Sequence, residues 1–98
     1  MLSIVKTSLR ISHDLLDEEI KDLIEAARRD LILSGISSDK ANEEEKIDPL
    51  IKRAIIIYCK ANFGFNSGET DRVTSVNRYQ ESYNLLKNHL SLAGDYNV

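Results

Sequence analysis

The stretch that most constrains the fold is residues 47–63, which read IDPLIKRAIIIYCKANF. Asp48 followed by Pro49 marks a helix start, because the aspartate can cap the first turn and proline suits the first helical position. On a helical wheel the apolar residues that follow cover about 200°, twice the width of an ordinary surface stripe. The pattern therefore predicts a central helix that is covered on several sides. Its apolar residues are Leu50, Ile51, Ala54, Ile55, Ile57, Tyr58, Cys59 and Ala61.

This apolar stretch is too short to cross a membrane. The longest uncharged apolar run spans residues 54–59, far below the roughly 18 residues that a bilayer requires. The start of the chain is interrupted by Lys6 and Arg10, which is not the pattern of a secretory signal. We therefore expect neither secretion nor a membrane segment.

Catalysis by the single cysteine is not expected either. Cys59 could be combined with His13 or His89 as nucleophile and base, but no activating motif accompanies it, and it lies among aliphatic residues. The favoured interpretation is a buried, unreactive thiol. An enzyme that uses Cys59 stays open as a weaker alternative, and it would lose activity in a Cys59→Ser variant.

The remaining helices follow from periodic apolar positions and end signals. Leu2, Val5 and Leu9 indicate a short first helix. Asp14 is a candidate cap for the second helix, and Gly35 is expected to end it. Residues 36–46 show no apolar period and are interpreted as a polar connection. The predicted helices span 2–10, 15–33, 49–63 and 70–92, followed by a flexible tail over 93–98.

These features predict an all-α chain, a bundle of four helices of which the first is short. A length of 98 residues with 42% hydrophobic and 30% charged residues is typical of one compact domain, here 1–98. A chain this short buries a small core, so burial against other copies or partners would matter.

Metal, nucleotide and DNA binding have little support in the sequence. Glu25 is followed three residues later by Arg28, where a helical di-metal site would need histidine. No glycine-rich phosphate loop is present, so we expect no cofactor and no metal. Residues 14–46 carry eleven acidic and five basic side chains, a balance that repels phosphate.

The acidic residues are expected to form a solvated surface, and six carboxylates are the candidates for it. They are Glu18, Asp22, Glu25, Glu43, Glu44 and Glu45.

Several apolar residues do not fit the core pattern. Ile56 and Phe63 lie on the charged side of the central helix, and Leu85 and Leu92 lie opposite the apolar stripe of the last helix. They are candidates for subunit or partner contacts, and completing the chain's own core is the alternative. Tyr96 and Val98 belong to the tail, where only a partner is expected to fix them.

Three stretches together resemble the head-tail connector proteins of tailed bacteriophages, also called phage DNA-packaging adaptors. They are VKTSLRISHDLLDEEIKDLIEAARRDL, DPLIKRAIIIYCKANFGF and RYQESYNLLKNHLSL. The resemblance covers nearly the whole chain, and its specificity lies in the combination, since no stretch is a catalytic signature.

The resemblance implies a structural, non-enzymatic adaptor at the head-tail junction of a phage or prophage virion, assembled in the host bacterial cytoplasm. It would form a ring beneath the portal, matching the portal's symmetry, and join the DNA-filled head to tail-completion (stopper) proteins. DNA would pass through the lumen without being read, and the acidic residues would suit the lumen wall. A small helical regulatory or nucleic-acid-binding module is the alternative.

Overall fold

A computed structural model describes residues 1–63, 70–94 and Tyr96, with side chains for all of these except residues 70–77. The all-α prediction is confirmed: among the described residues, four helices have eight residues or more, and a fifth is a single turn. The helices are α1 (Leu2–Leu9), α2 (Asp17–Leu33), α3 (Ser38–Ala41), α4 (Pro49–Asn62) and α5 (Thr70–Leu92).

The start of α2 differs from the prediction. Asp14 does not cap this helix, whose N-cap is Leu16 without a side-chain hydrogen bond. The carboxylate of Asp14 instead accepts a hydrogen bond from Lys6 Nζ at 2.9 Å, and Asp17 Oδ1 lies 2.8 Å from the same nitrogen. The first helix thus supplies a cation, and this ion pair ties α1 to the start of α2.

The end of α2 follows the glycine signal. Gly35 has a φ of +103°, a left-handed conformation that costs glycine little. Its N–H donates to the carbonyl of Ile32 at 3.0 Å, and the N–H of Ile36 donates to the carbonyl of Leu31 at 3.2 Å. These two bonds form a Schellman motif, which satisfies carbonyls that the helix end would otherwise leave unpaired.

Residues 36–46 are not entirely a polar connection. They contain α3, and they place Ile36 and Ala41 in the core with no exposed surface. A one-turn helix is too short to show an apolar period, so periodicity could not reveal it.

The central helix begins as predicted. Oδ1 of Asp48 accepts hydrogen bonds from the backbone N–H groups of Leu50 at 2.8 Å and Ile51 at 3.4 Å, and Pro49 is the first helical residue. α4 packs against α5, α2 and α1, which makes it the centre of the core. The buried core residues are Val5, Ile20, Ile24, Ala27, Leu31, Ile36, Ala41, Ile51, Ala54, Ile55, Cys59, Tyr83 and Leu90.

A buried tyrosine links three helices. The hydroxyl of Tyr83 on α5 donates to Asp30 Oδ2 on α2 at 2.5 Å, and Lys87 Nζ lies 3.1 Å from the same oxygen. The ring of Tyr58 on α4 meets the ring of Tyr83 edge-on, with centroids 5.2 Å apart. Burial, followed by the hydrogen bond to Asp30, raises the pKa of Tyr83, so its hydroxyl stays a donor.

Candidate assembly interface

The open side of α4 carries all of the charge on that helix. The basic face of α4 is defined here as Lys52, Arg53, Ile56, Lys60 and Phe63, and the helix contains no carboxylate. Ile56 and Phe63 are half-buried and pack against the edge of the core, so each completes part of the chain's own core and leaves part of its surface open.

The cations of this face differ in their surroundings. Lys60 Nζ lies 5.6 Å from the ring centroid of Tyr79, a cation–π distance. Lys52 and Arg53 form no ion pair with any residue that the structure describes. The open side of α4 is thus basic and partly apolar, and the two cations nearest its N-terminus lack an ion-pair partner among the described residues.

The outer side of α5 presents two exposed leucines. Leu85 is 71% exposed and Leu92 is 84% exposed. They are seven residues apart and therefore lie along one side of the helix, opposite the buried Tyr83 and Leu90. Both sides of α5 therefore carry large apolar residues.

The tail prediction is wrong for Tyr96. The carbonyl oxygen of Tyr96 accepts a hydrogen bond from the N–H of Ser37 at 2.7 Å, and its hydroxyl donates to Asp48 Oδ2 at 3.0 Å. Lys40 Nζ lies 5.4 Å from the centroid of its ring. Contacts with Ser37, Lys40 and Asp48 of the same chain thus position Tyr96, whereas Val98 lies outside the described residues.

The six acidic residues expected on the solvated surface differ in their surroundings, and all except the half-buried Glu43 are exposed. Glu43 Oε1 accepts hydrogen bonds from the backbone N–H groups of Glu45 and Lys46, both at 3.2 Å. Glu18 lies 3.4 Å from Lys21. Asp22 and Glu45 are exposed and form no ion pair with a described residue.

Glu44 is held by a buried arginine that sequence reasoning missed. Arg28 is 5% exposed, and its Nη1 donates to Glu44 Oε1 at 2.5 Å. The hydrogen bond from Arg28 lowers the pKa of Glu44. Arg28 Nη1 also lies 4.0 Å from Glu25 Oε1. The α-ammonium group of Met1 lies 3.4 Å from Glu44 Oε2. These charges partly neutralise the middle of the acidic surface.

Two exposed leucines at the ends of α2 were also missed. Leu15 is 88% exposed just before the helix, and Leu33 is 72% exposed in its last turn. Leu33 lies off the α2 apolar stripe, and this position on the helical wheel is the signal that could have identified it. Leu15 precedes the helix, so periodicity gives no signal there.

The described residues offer little for catalysis. Burial raises the pKa of Cys59 to about 12, so its thiol is protonated at neutral pH. No group of three metal-ligating side chains occurs among them. Within the part of the chain that the structure describes, every helix is too short or too polar to cross a membrane.

Comparison with known proteins places the chain in one family. Neither the curated proteins nor the solved structures gave a match. A family model described as "Phage connector protein" matches residues 1–97, nearly the whole chain. The chain therefore belongs to the phage connector protein family.

Proposed function

We propose that this chain is a structural head-tail connector without enzymatic activity, which forms a ring beneath the portal and joins the DNA-filled head to the tail. The observation that carries the proposal is that a member of the phage connector family leaves Leu85 and Leu92 exposed along one side of its longest helix. Exposed apolar patches on small proteins mark contacts with other proteins. We assign this side of α5 to the portal.

The same proposal places the chain at the head-tail junction of the virion, after assembly in the cytoplasm of the bacterial host. Its other partners are further copies of itself, matching the symmetry of the portal, and tail-completion (stopper) proteins. Val98 is kept as a candidate contact of the tail. A free phage and a prophage are both compatible with this role.

DNA passage needs a lumen that does not bind phosphate. Glu25, Glu44 and Glu45 are exposed, and Glu45 forms no ion pair with a described residue. We propose that these carboxylates lie toward the lumen, where negative charge would limit contact with passing DNA. No base-specific reading of DNA is part of this role.

The proposal predicts that the chain binds purified portal and forms a ring on it that electron microscopy can resolve. A Leu85→Gln/Leu92→Gln variant should bind portal about tenfold or more weakly, because the apolar contact is lost while the folded chain is unaffected. Binding is measured by surface plasmon resonance, and folding by circular dichroism.

Leu33→Gln is the matched control, since it also removes an exposed leucine, but from α2. It should bind portal like the unmodified chain. Failure of the unmodified chain to bind either portal or a tail-completion protein would refute the proposed function. Equal losses in the variant and in the control would refute the assignment of α5.

A further inference from the structure

We infer that neighbouring copies of this chain bind each other head-to-tail, with the basic face of α4 of one copy against the acidic face of α2 of the next. The acidic face of α2 is defined here as Leu15, Glu18, Glu19 and Asp22. The inference rests on the proposed function, from which it takes the existence of a ring. It adds the identity of the two surfaces through which neighbouring copies bind.

The basic face of α4 has no carboxylate in an ion pair with it among the residues that the structure describes. Lys52 is half-buried and Arg53 is exposed, and neither forms an ion pair with a described residue. Ile56 lies on the same side of the helix and is half-buried. The basic face of α4 therefore combines apolar area with cations that could pair with carboxylates of another molecule.

The acidic face of α2 has the opposite properties. Glu18, Glu19 and Asp22 are exposed, and only Glu18 has a described cation near it, Lys21 at 3.4 Å. Glu18 and Asp22 are four residues apart and repel each other along the helix. Leu15, 88% exposed, adds apolar area at the same end of α2.

These two surfaces cannot neutralise each other within one copy. α2 and α4 pack together, and their buried residues, including Ile24 and Ala27 on α2 and Ile51 and Ala54 on α4, belong to one core. The exposed charges lie on the other sides of both helices, as the helical period requires. The complementary contact is therefore available only between copies.

Charge also selects the symmetry of the contact. A two-fold contact through α4 would place Lys52 and Arg53 against the same cations of the second copy. A two-fold contact through α2 would oppose carboxylates in the same way. Like charges placed opposite each other at an interface are strongly unfavourable. A head-to-tail contact joins opposite charges at every junction, and contacts of this type close into rings when the rotation permits.

The first test locates the contact by zero-length carbodiimide cross-linking. Unlabelled and 15N-labelled copies are mixed, alone and on purified portal, and peptides are analysed by mass spectrometry. The expected mixed-isotope link is an amide between Lys52 and Glu18, Glu19 or Asp22. Mixed-isotope links that avoid both faces, or no links between copies even on portal, would overturn the inference.

The second test uses two charge-reversed variants. Lys52→Glu/Arg53→Glu makes both faces acidic, and Glu18→Lys/Asp22→Lys makes both faces basic. Each variant alone should self-associate about tenfold or more weakly than the unmodified chain, because every junction then opposes like charges. An equimolar mixture should regain assembly, because alternating copies restore opposite charges at each junction. Self-association is measured by analytical ultracentrifugation without portal and by ring occupancy on portal.

A matched control separates this effect from general attraction between oppositely charged proteins. Arg10→Glu/Lys46→Glu and Asp39→Lys/Glu45→Lys change exposed residues outside both faces and outside α5 by the same net charges. They should each assemble like the unmodified chain. If their mixture showed the same gain as the test mixture, or if the test mixture failed to assemble, the inference would be wrong.

Folding and function are followed separately. Circular dichroism checks the folding of every variant. If a charge-reversed variant unfolds, the neutral variants Arg53→Gln and Asp22→Asn are used in place of the two reversals. If the unmodified chain binds portal but its cross-links lie elsewhere, the inference fails and the proposed function stands. If the basic-face variant assembles normally but loses salt-sensitive binding to duplex DNA, the face binds nucleic acid and the inference is overturned.

Discussion

At the scale of single residues, Arg28 is the charge on which the packing of the α3 region depends. Its guanidinium is almost fully buried, and a buried cation is tolerated only when it is paired and hydrogen-bonded. Glu44 supplies the carboxylate, and the carbonyl oxygen of Glu43 accepts a further bond from Arg28 Nη2 at 3.4 Å. This pair fixes the connection before α4 against α2.

The pair should make stability depend on pH below the ordinary pKa of Glu44, which is 4.5. Because folding lowers this pKa, the stabilisation is present above 4.5 and is lost as the pH falls through the folded value. We expect Glu44→Gln to lower the free energy of unfolding at pH 7 by about 1 kcal/mol, a modest cost because the carboxylate is half-exposed. Urea denaturation at pH 7 and below pH 4 measures both effects.

Glu45→Gln is the matched control, because Glu45 is exposed and has no ion pair with a described residue. Its stability at pH 7 should equal that of the unmodified chain. A Glu44→Gln variant with unchanged stability and an unchanged acid transition would contradict the role of the pair.

At the scale of elements, the N-terminus of α4 shows how one side chain serves two purposes. Oδ1 of Asp48 caps the helix, and Oδ2 accepts the hydroxyl of Tyr96 from beyond α5. The cap was predictable from the Asp-Pro pair, because a capping signal is local. The bond to Tyr96 was not, because it joins residues 48 positions apart in the chain.

We predict that Asp48→Ala lowers the free energy of unfolding by about 2 kcal/mol, the sum of a lost cap and a lost hydroxyl partner. Tyr96→Phe keeps the cap and removes only the hydroxyl, so it should cost about 1 kcal/mol or less. Chemical denaturation of both variants and of the double variant measures the coupling.

The double variant Asp48→Ala/Tyr96→Phe should have about the same free energy of unfolding as Asp48→Ala alone. In Asp48→Ala the Tyr96 hydroxyl has already lost its bond to Asp48, so removing the hydroxyl costs little more. Strictly additive losses would show that Tyr96 does not act through Asp48.

At the scale of the whole molecule, α4 lies between α2 and α5 and also contacts α1. Its buried side is formed by Ile51, Ala54, Ile55, Cys59 and Ala61, all nearly inaccessible to solvent. Opening of this helix therefore requires separation of most of the core. α3, by contrast, is a single turn with one buried residue.

Amide hydrogen exchange should reflect this arrangement. We predict the slowest exchange in α4, at a rate set by global unfolding, and exchange at least about tenfold faster in α3, which can open locally. Hydrogen–deuterium exchange of the isolated chain, followed by mass spectrometry of its peptides, measures the exchange rates of both helices. Faster exchange in the centre of α4 than in α3 would contradict the central position of this helix.

The sequence by itself determined the helices that local signals specify. The Asp48–Pro49 start, the Gly35 end and the apolar periods of the four long helices each depend on residues within a few positions of one another. For the candidate interface, the sequence identified Leu85 and Leu92, which are exposed, and Ile56 and Phe63, which are only half-covered.

Only the tertiary structure decided which distant groups meet. Lys6 binds Asp14 and removes it from the capping role, Arg28 is buried against Glu44 sixteen residues away, and Tyr96 binds Asp48. None of these partners could be read from spacing, because each depends on how the helices pack. The charges left over after packing define the two complementary faces, since a charge is free for a neighbouring copy only when its own chain provides no partner.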